Sequence, residues 1–128
     1  MTDQTPLPTD AELRILRVLW DRGSLTVREV FDELADDRGY TTILKLLQIM
    51  DDKGLVTRRR DERSHVYSAA VEREPTQRAL LRNLVEKAFA GSSDALVLRA
   101  LSTRGASAQE LAEVRKLLAR LERSEGGA

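Results

Sequence analysis

The sequence has no cysteine and only one histidine, His65, among its 128 residues. Disulfides, thiolate metal sites and cysteine nucleophiles are therefore excluded, and one imidazole cannot supply the three or four ligands of a zinc site. The carboxylates are scattered, and the pattern places no general base or nucleophile beside them. We therefore predict a protein that is not an enzyme and that carries no metal and no cofactor.

Long apolar runs are also missing. No stretch approaches the roughly 20 apolar residues that a membrane span needs, and the polar start MTDQTPLPTD lacks the apolar core of a signal peptide. These two features predict a cytoplasmic protein without a membrane partner. Glycine and proline are few, whereas Leu, Ala, Arg and Glu dominate, which is typical of a helix-rich folded chain.

A net charge of either sign is the third absence, because 21 basic residues balance 21 acidic ones. Taken alone, this balance argues against a nucleic-acid partner. The basic residues are gathered, however, and the window from Lys53 to Arg63 holds five of them against two acidic residues. A solvated basic hairpin and a nucleic-acid contact are both consistent with this cluster.

Two capping boxes mark the first two helices. In Thr9-Asp10-Ala11-Glu12 and in Thr26-Val27-Arg28-Glu29, a threonine stands three residues before a glutamate, so each side chain can satisfy a free backbone N–H of the other residue. Apolar residues recur at helical spacing after each box, and the polar run at residues 36–39 is expected to end the second helix. The short connection between the two helices predicts a helix-turn-helix.

A third helix is predicted from about Thr41 to Lys53, with Gly54 as its C-terminal stop. At about 100° per residue, its face opposite the apolar stripe carries short polar groups and one lysine. Such groups can contact phosphates and base edges from the exposed N-terminal end of a helix, although a solvated amphipathic helix has the same pattern. The candidate DNA-reading residues are Thr41, Thr42, Lys45 and Gln48.

Two strand-like runs follow, Leu55 to Arg60 and His65 to Ala69, on either side of an Asp61-Glu62-Arg63-Ser64 turn. A hairpin directly after a helix-turn-helix is a wing, and arginines near its turn suit phosphates or the minor groove. His65 is expected either to hydrogen-bond a phosphate or to have only a structural role. The candidate wing contacts are Arg58, Arg59, Arg60, Arg63, Ser64 and His65.

From Glu74 onward the chain is helical again, with three short apolar-striped helices and a third capping box, Ser107-Ala108-Gln109-Glu110. Helices of this length cannot bury all their leucines alone, so we expect a two-fold partner that contributes the same surface. The alternative is a monomer in which these helices fold back on residues 1–70. The candidate dimerisation residues are Leu81, Leu84, Val85, Phe89, Leu96, Val97, Leu111, Val114, Leu118 and Leu121.

Five motifs in a fixed order carry a family resemblance. They are the stretch from Thr9 to Leu16 with Leu19-Trp20, Leu25 to Val30, Gly39 to Ile43 with Lys53 to Val56, Arg63 to Tyr67, and Phe89-x-Gly91-Ser92 with Leu96 to Leu98. Together they resemble the penicillinase-repressor family of bacterial transcriptional regulators over nearly the full length of the chain.

This resemblance implies a winged-helix DNA-binding domain joined to a helical dimerisation domain, and repression from a palindromic operator. It places Thr41 and Thr42 on the recognition helix. Lys45 and Gln48 rest on the helical-wheel argument, because the family often carries its lysine where this chain has Leu44. The resemblance also makes a sensor protease a candidate partner, although Arg99-Ala100 stands where antibiotic-responsive members carry a cleavable Asn-Phe pair.

We therefore predict a mainly α-helical chain with a small β-hairpin wing, divided into a winged helix-turn-helix domain over residues 1–70 and a helical dimerisation domain over residues 71–128. The predicted function is that of a homodimeric repressor, which binds a pseudo-palindromic double-stranded DNA operator through helix 3 in the major groove and the basic wing on the backbone. The rival hypothesis is a winged-helix protein-interaction module that does not bind DNA, since a fold does not fix a function.

Overall fold

The computed structural model describes residues 5–34 and 38–126. The described chain divides into two compact units, one up to Arg82 and the other from Asn83 onward. The predicted functional division at residue 70 stays a prediction. In chain order the elements are α1 (Asp10–Arg22), β1 (Leu25–Thr26), α2 (Val27–Leu34), α3 (Tyr40–Lys53), β2 (Val56–Asp61), β3 (Ser64–Ala69), α4 (Arg73–Ala88), α5 (Ser93–Arg104) and α6 (Ala108–Gly126).

All three predicted capping boxes are confirmed. The backbone N–H of Glu12 donates to Thr9 Oγ1 over 3.2 Å, and the N–H of Thr9 donates to Glu12 Oε1 over 2.9 Å. The same reciprocal pair of hydrogen bonds starts α2 at Thr26 and α6 at Ser107. Two residues of the predicted end of α2, Asp36 and Asp37, lie outside the described residues. The described part of the helix ends at Leu34.

The wing is a tighter hairpin than the sequence predicts. β2 and β3 pair antiparallel from Val56 with Ala69 to Asp61 with Ser64, so only Glu62 and Arg63 remain in the turn. The expected four-residue turn is therefore wrong by one residue on each side. Glu62 accommodates the sharp reversal with a φ of 53°, a left-handed value that two-residue hairpin turns commonly require.

A third strand, β1, was not predicted. Leu25 pairs with Tyr67 and Thr26 pairs with Val66, which gives an antiparallel sheet in the order β1-β3-β2. Two residues are too few to show the alternation of polar and apolar side chains by which a strand is recognised in a sequence. β1 joins the start of α2 to the wing through the sheet.

The hydrophobic core of the first unit lies between its helices and the sheet. Helices α1, α2 and α3 each contribute one buried face, and the strands contribute the residues nearest the base of the wing. This core consists of Ile15, Leu16, Leu19, Leu25, Val27, Val30, Ile43, Leu47, Met50, Leu55, Val56 and Tyr67.

A buried ion pair connects the first and third helices. The Glu12 side chain is 2% exposed, and Lys53 Nζ lies 2.7 Å from its Oε2 and 3.0 Å from its Oε1. Burial raises the pKa of the Glu12 carboxyl, but hydrogen bonds from Lys53 and Thr9 and the positive charge of Lys53 outweigh burial and lower that pKa overall. Lys53 is therefore committed to the core side of α3 and adds nothing to the charge of the wing.

Replacement of Lys53 by methionine should lower the free energy of unfolding at neutral pH by about 3 kcal/mol, because Glu12 would stay buried without its cation. Chemical denaturation followed by circular dichroism measures this loss. The matched control is Arg22→Met, since Arg22 pairs with Glu33 at an exposed position and its loss should cost about 0.5 kcal/mol or less. A Lys53→Met protein as stable as the control would contradict this role.

The same pair predicts a pH dependence. Because the pKa of Glu12 is lower in the folded chain than in the unfolded one, its stabilising contribution is complete above the unfolded pKa of about 4.3. This contribution disappears as the pH falls through the lower folded-state pKa. The Glu12→Gln variant should therefore lose less stability than the wild type across this acidic interval, in denaturation curves recorded at a series of pH values.

Candidate nucleic-acid interface

The N-terminal end of α3 is open and polar. Its cap residue, Gly39, has no side chain to accept hydrogen bonds from the first turn, and its carbonyl accepts from the N–H groups of Thr42 and Ile43 over 3.1 and 3.2 Å. The partial positive charge of a helix N-terminus favours anions such as phosphate. The structure begins α3 at Tyr40, one residue before the predicted start.

The four predicted reading residues lie together on the exposed face of α3. Its opposite face is buried through Ile43, Leu47 and Met50. Leu44, directly before the lysine, is partly buried against the core, whereas Lys45 is exposed. All four predicted reading residues are exposed on α3, namely Thr41, Thr42, Lys45 and Gln48.

One further residue on this face was missed. Ile49 follows Lys45 by one helical turn and is 38% exposed. Sequence reasoning assigns apolar residues of an amphipathic helix to the core by default, so no local signal separated Ile49 from its buried neighbours. An exposed aliphatic group beside polar ones can contact the methyl group of thymine.

The wing carries its basic residues on an exposed ribbon. β2 is buried only at Val56, and every later residue of the strand is exposed. Successive side chains of a strand point to opposite faces, so Arg58 and Arg60 share one face and Arg59 occupies the other. The predicted wing residues that the structure leaves exposed are Arg58, Arg59, Arg60, Arg63, Ser64 and His65.

The connection between α3 and the wing is fixed by the backbone. Gly54 adopts a left-handed conformation with φ 84° and ψ 14°, and the N–H of Leu55 donates to the carbonyl of Met50 over 2.9 Å. This is the helix ending for which glycine is preferred. The Ala70 N–H donates to the Leu55 carbonyl over 2.9 Å and closes the base of the hairpin. The reading face and the wing therefore belong to one unit with a defined junction.

An arginine between two aromatic rings also lies beside the start of α3. The guanidinium carbon of Arg28 is 5.0 Å from the centre of the Tyr40 ring and 5.4 Å from that of Phe31. This cluster could not be predicted from the sequence, because Arg28 and Tyr40 are on different helices and no spacing rule relates them.

The second unit has no buried side chain between residues 83 and 125. Leu98, at 67%, is the most exposed of its large apolar residues. Leu98 and Leu117 are not among the predicted dimerisation residues, because they lie beside the apolar stripes of the predicted helices. Of the predicted dimerisation residues, Leu81, Leu84, Val97, Leu118 and Leu121 are exposed, and Val85, Phe89, Leu96, Leu111 and Val114 are partly buried.

Arg99 and Ala100 lie in the interior of α5, and both are exposed. Proteolysis is favoured at loops and termini rather than within regular helices, so this peptide bond would have to leave the helix before cleavage. The sensor protease stays a prediction.

The described ranges contain no group of three or more histidine or acidic side chains arranged to hold a metal ion. Within the same residues, every helix is too short or too polar to cross a membrane.

Comparison with known proteins agrees with this architecture. The model of the penicillinase repressor family matches residues 8–120. BlaI, a transcriptional regulator of Mycobacterium tuberculosis, is 32% identical over 121 residues, covering 91% of this chain and 86% of that protein. The methicillin resistance regulatory protein MecI of Mammaliicoccus sciuri is 23% identical over 120 residues, covering 92% of this chain and 98% of that protein.

A solved structure is similar over part of the chain. The solution structure of Bacillus licheniformis BlaI, as a monomeric form in complex with the blaP half-operator, has a TM-score of 0.51 and 27% identity. The match covers 59% of this chain and 93% of that one. The predicted winged-helix architecture is thereby confirmed. The family match spans most of the sequence, so the chain belongs to the penicillinase repressor family.

Proposed function

We propose that this chain represses transcription as a homodimer that binds a pseudo-palindromic operator in double-stranded DNA. The observation that carries the proposal is the joint exposure, within one compact unit, of the polar face of α3 and the arginine-bearing wing. The solved BlaI relative was determined with a half-operator bound. Its likeness to this chain supports duplex DNA as the partner of this surface.

In the proposed complex, α3 lies in the major groove and reads base edges. Threonine hydroxyls can donate to or accept from either kind of base, glutamine can pair with the N6 and N7 atoms of adenine, and lysine favours guanine O6 and N7. Thr42, Lys45 and Gln48 therefore give this face a selective set of donors and acceptors. The core packing of Ile43, Leu47 and Met50 holds the helix while its outer face contacts DNA.

The wing has a different task in this proposal. Arginines on a solvated ribbon neutralise phosphates and release counterions, which adds affinity with little dependence on base sequence. Both faces of β2 beyond Val56 are exposed, so Arg58, Arg59 and Arg60 are available to a groove edge on either side of the hairpin. The wing therefore sets affinity and register, and α3 sets preference.

The second copy of the chain is proposed to cover the apolar surface of the second unit. Burial of a leucine side chain contributes about 1.5–3 kcal/mol, so several exposed leucines per protomer provide enough apolar area for association. Along α6, the spacing of Leu111, Val114, Leu118 and Leu121 is 3, 4 and 3 residues, the pattern of a helix that packs against another helix. A two-fold pair of subunits then presents two α3 helices to one duplex.

The direct test is DNase footprinting on the DNA upstream of the gene, with a gel-shift titration at two salt concentrations. We expect two protected half-sites whose centres lie about 10 base pairs, or a multiple of that distance, apart. A single undivided footprint would contradict the dimeric arrangement. The absence of binding to any duplex at low salt would instead favour a protein-interaction module.

The dimer surface is tested by placing aspartates at Leu118 and Leu121. Sedimentation should then show a monomer, because charges would replace apolar groups that the second copy buries, whereas binding to an isolated half-site should persist. Lys116→Asp is the matched control on the same helix, since Lys116 lies with Glu113 and Arg120 on its polar face. A double variant that still sediments as the wild type would refute this surface.

The division of labour between wing and helix is tested by two sets of variants. Alanine at Arg59 or Arg60 should weaken binding to operator and to unrelated DNA by the same factor, and should reduce the slope of log K against log salt by about 0.9 per contact. Alanine at Thr42 or Lys45 should change base preference, by about 1–3 kcal/mol per lost base contact. Selection from a randomised half-site library measures the second effect. The division would be contradicted if both sets of variants changed the salt slope and the base preference to the same extent.

A further inference from the structure

Arg28 is held in place by aromatic rings rather than by a close ion pair. Its guanidinium carbon lies 5.0 Å from the Tyr40 ring centre and 5.4 Å from the Phe31 ring centre, and the two rings meet edge to face at 6.0 Å. Both distances are within the range of cation–π attraction. This contact limits the rotamers of a long side chain before any ligand arrives, so less conformational entropy is lost when it binds.

The charge of Arg28 remains available to a partner. Within the described residues it pairs with the carboxylate of Asp32, with Nη1 and Oδ1 4.0 Å apart, beyond hydrogen-bonding distance, and both side chains are 64% exposed. A pair of this kind contributes little in water. The planar guanidinium therefore keeps donors for an incoming acceptor, and phosphate is the acceptor that its fork geometry binds through two parallel hydrogen bonds.

Arg28 also lies where the proposed interface comes together. It is in the first turn of α2, and its ring partner Tyr40 is the first residue of α3, directly before Thr41. Thr26, which caps α2, pairs with Val66 in the wing. These residues therefore connect the start of α2 to the start of α3 and to strand β3 of the wing.

We propose that Arg28 binds a DNA backbone phosphate beside the N-terminal end of α3 and that Tyr40 and Phe31 position it for this contact. The inference rests on the proposed function and adds a third contact to the reading face and the wing. The rings have a second consequence, because they connect the phosphate contact to the first residue of the reading helix. Arg28 therefore fixes the register at which Thr41 and Thr42 meet the bases, without reading a base itself.

The test is the Arg28→Gln variant of the full-length protein, titrated at several salt concentrations against operator DNA and an unrelated duplex of equal length. We expect about tenfold weaker binding to both duplexes and a salt slope smaller by about 0.9. The control is Arg17→Gln, which removes the same charge from an exposed position on α1, in a groove lined by Trp20 and Arg73. It should leave both quantities unchanged.

Variants of Tyr40 separate positioning from charge. Tyr40→Phe keeps the ring and should bind DNA within twofold of the wild type. Tyr40→Leu removes the ring but leaves the charge of Arg28, so it should weaken binding severalfold while the salt slope stays at the wild-type value. Arg28→Lys keeps the charge without the bidentate fork and should fall between the wild type and Arg28→Gln in affinity, also with the wild-type slope.

Two results would overturn the inference. One is an Arg28→Gln protein that binds with the affinity and salt slope of the wild type. The other is an Arg28→Gln protein with a lowered melting temperature whose DNA binding returns fully on cooling, which would give Arg28 only the structural role of holding α2 against α3. Failure of the proposed function has a different signature, because the wild type itself would then bind neither duplex.

Discussion

The buried carboxylate of Glu12 determines how α3, the proposed reading helix, is held. Glu12 lies in the first turn of α1, accepts from the backbone N–H of the cap residue Thr9 and binds Lys53 at the far end of α3. A buried charge is tolerated only when its hydrogen-bonding capacity is filled, so the start of α1 and the end of α3 must remain together. The C-terminal end of α3 is anchored in this way, and its N-terminal end is left open to a ligand.

An uneven distribution of charge allows a chain without net charge to present a basic surface. Several acidic groups of the first unit are engaged by cations away from the wing, including Glu12 with Lys53, Glu33 with Arg22 and Asp21 with Arg73. The exposed arginines of β2 keep the short-range field of the hairpin positive, apart from the acids at its tip. Since salt screens exposed charges beyond about 10 Å, a phosphate responds to the local cluster more than to the total charge.

The sequence predicted most of the first unit because its signals are local. The capping boxes at Thr9 and Thr26, the glycine stop at Gly54 and the hairpin each depend on residues only a few positions apart. Features that depend on distant pairs were not predictable. The strand at Leu25 exists only because Tyr67 is beside it, and the partner of Glu12 is 41 residues away.

The candidate site follows the same rule. Thr41, Thr42, Lys45 and Gln48 could be placed on one face from the period of a helix alone, and the wing arginines from the charge of a short strand pair. The role of Arg28 could not be predicted, because its contact with Tyr40 arises from the packing of α2 against α3. Ile49 could not either, because hydrophobicity alone does not distinguish a residue that faces the core from one that faces a groove.

In the second unit, no residue from 83 to 125 is buried, and this bears on how the proposed repression would depend on gene dosage. If a second copy covers the exposed leucines, as proposed, the amount of DNA-competent protein depends on how often two subunits meet. Below the dissociation constant of the pair, dimer concentration rises with the square of chain concentration. In the proposed dimer, halving expression would then remove about three quarters of the dimers, so a modest dilution during growth would release the regulated genes sharply.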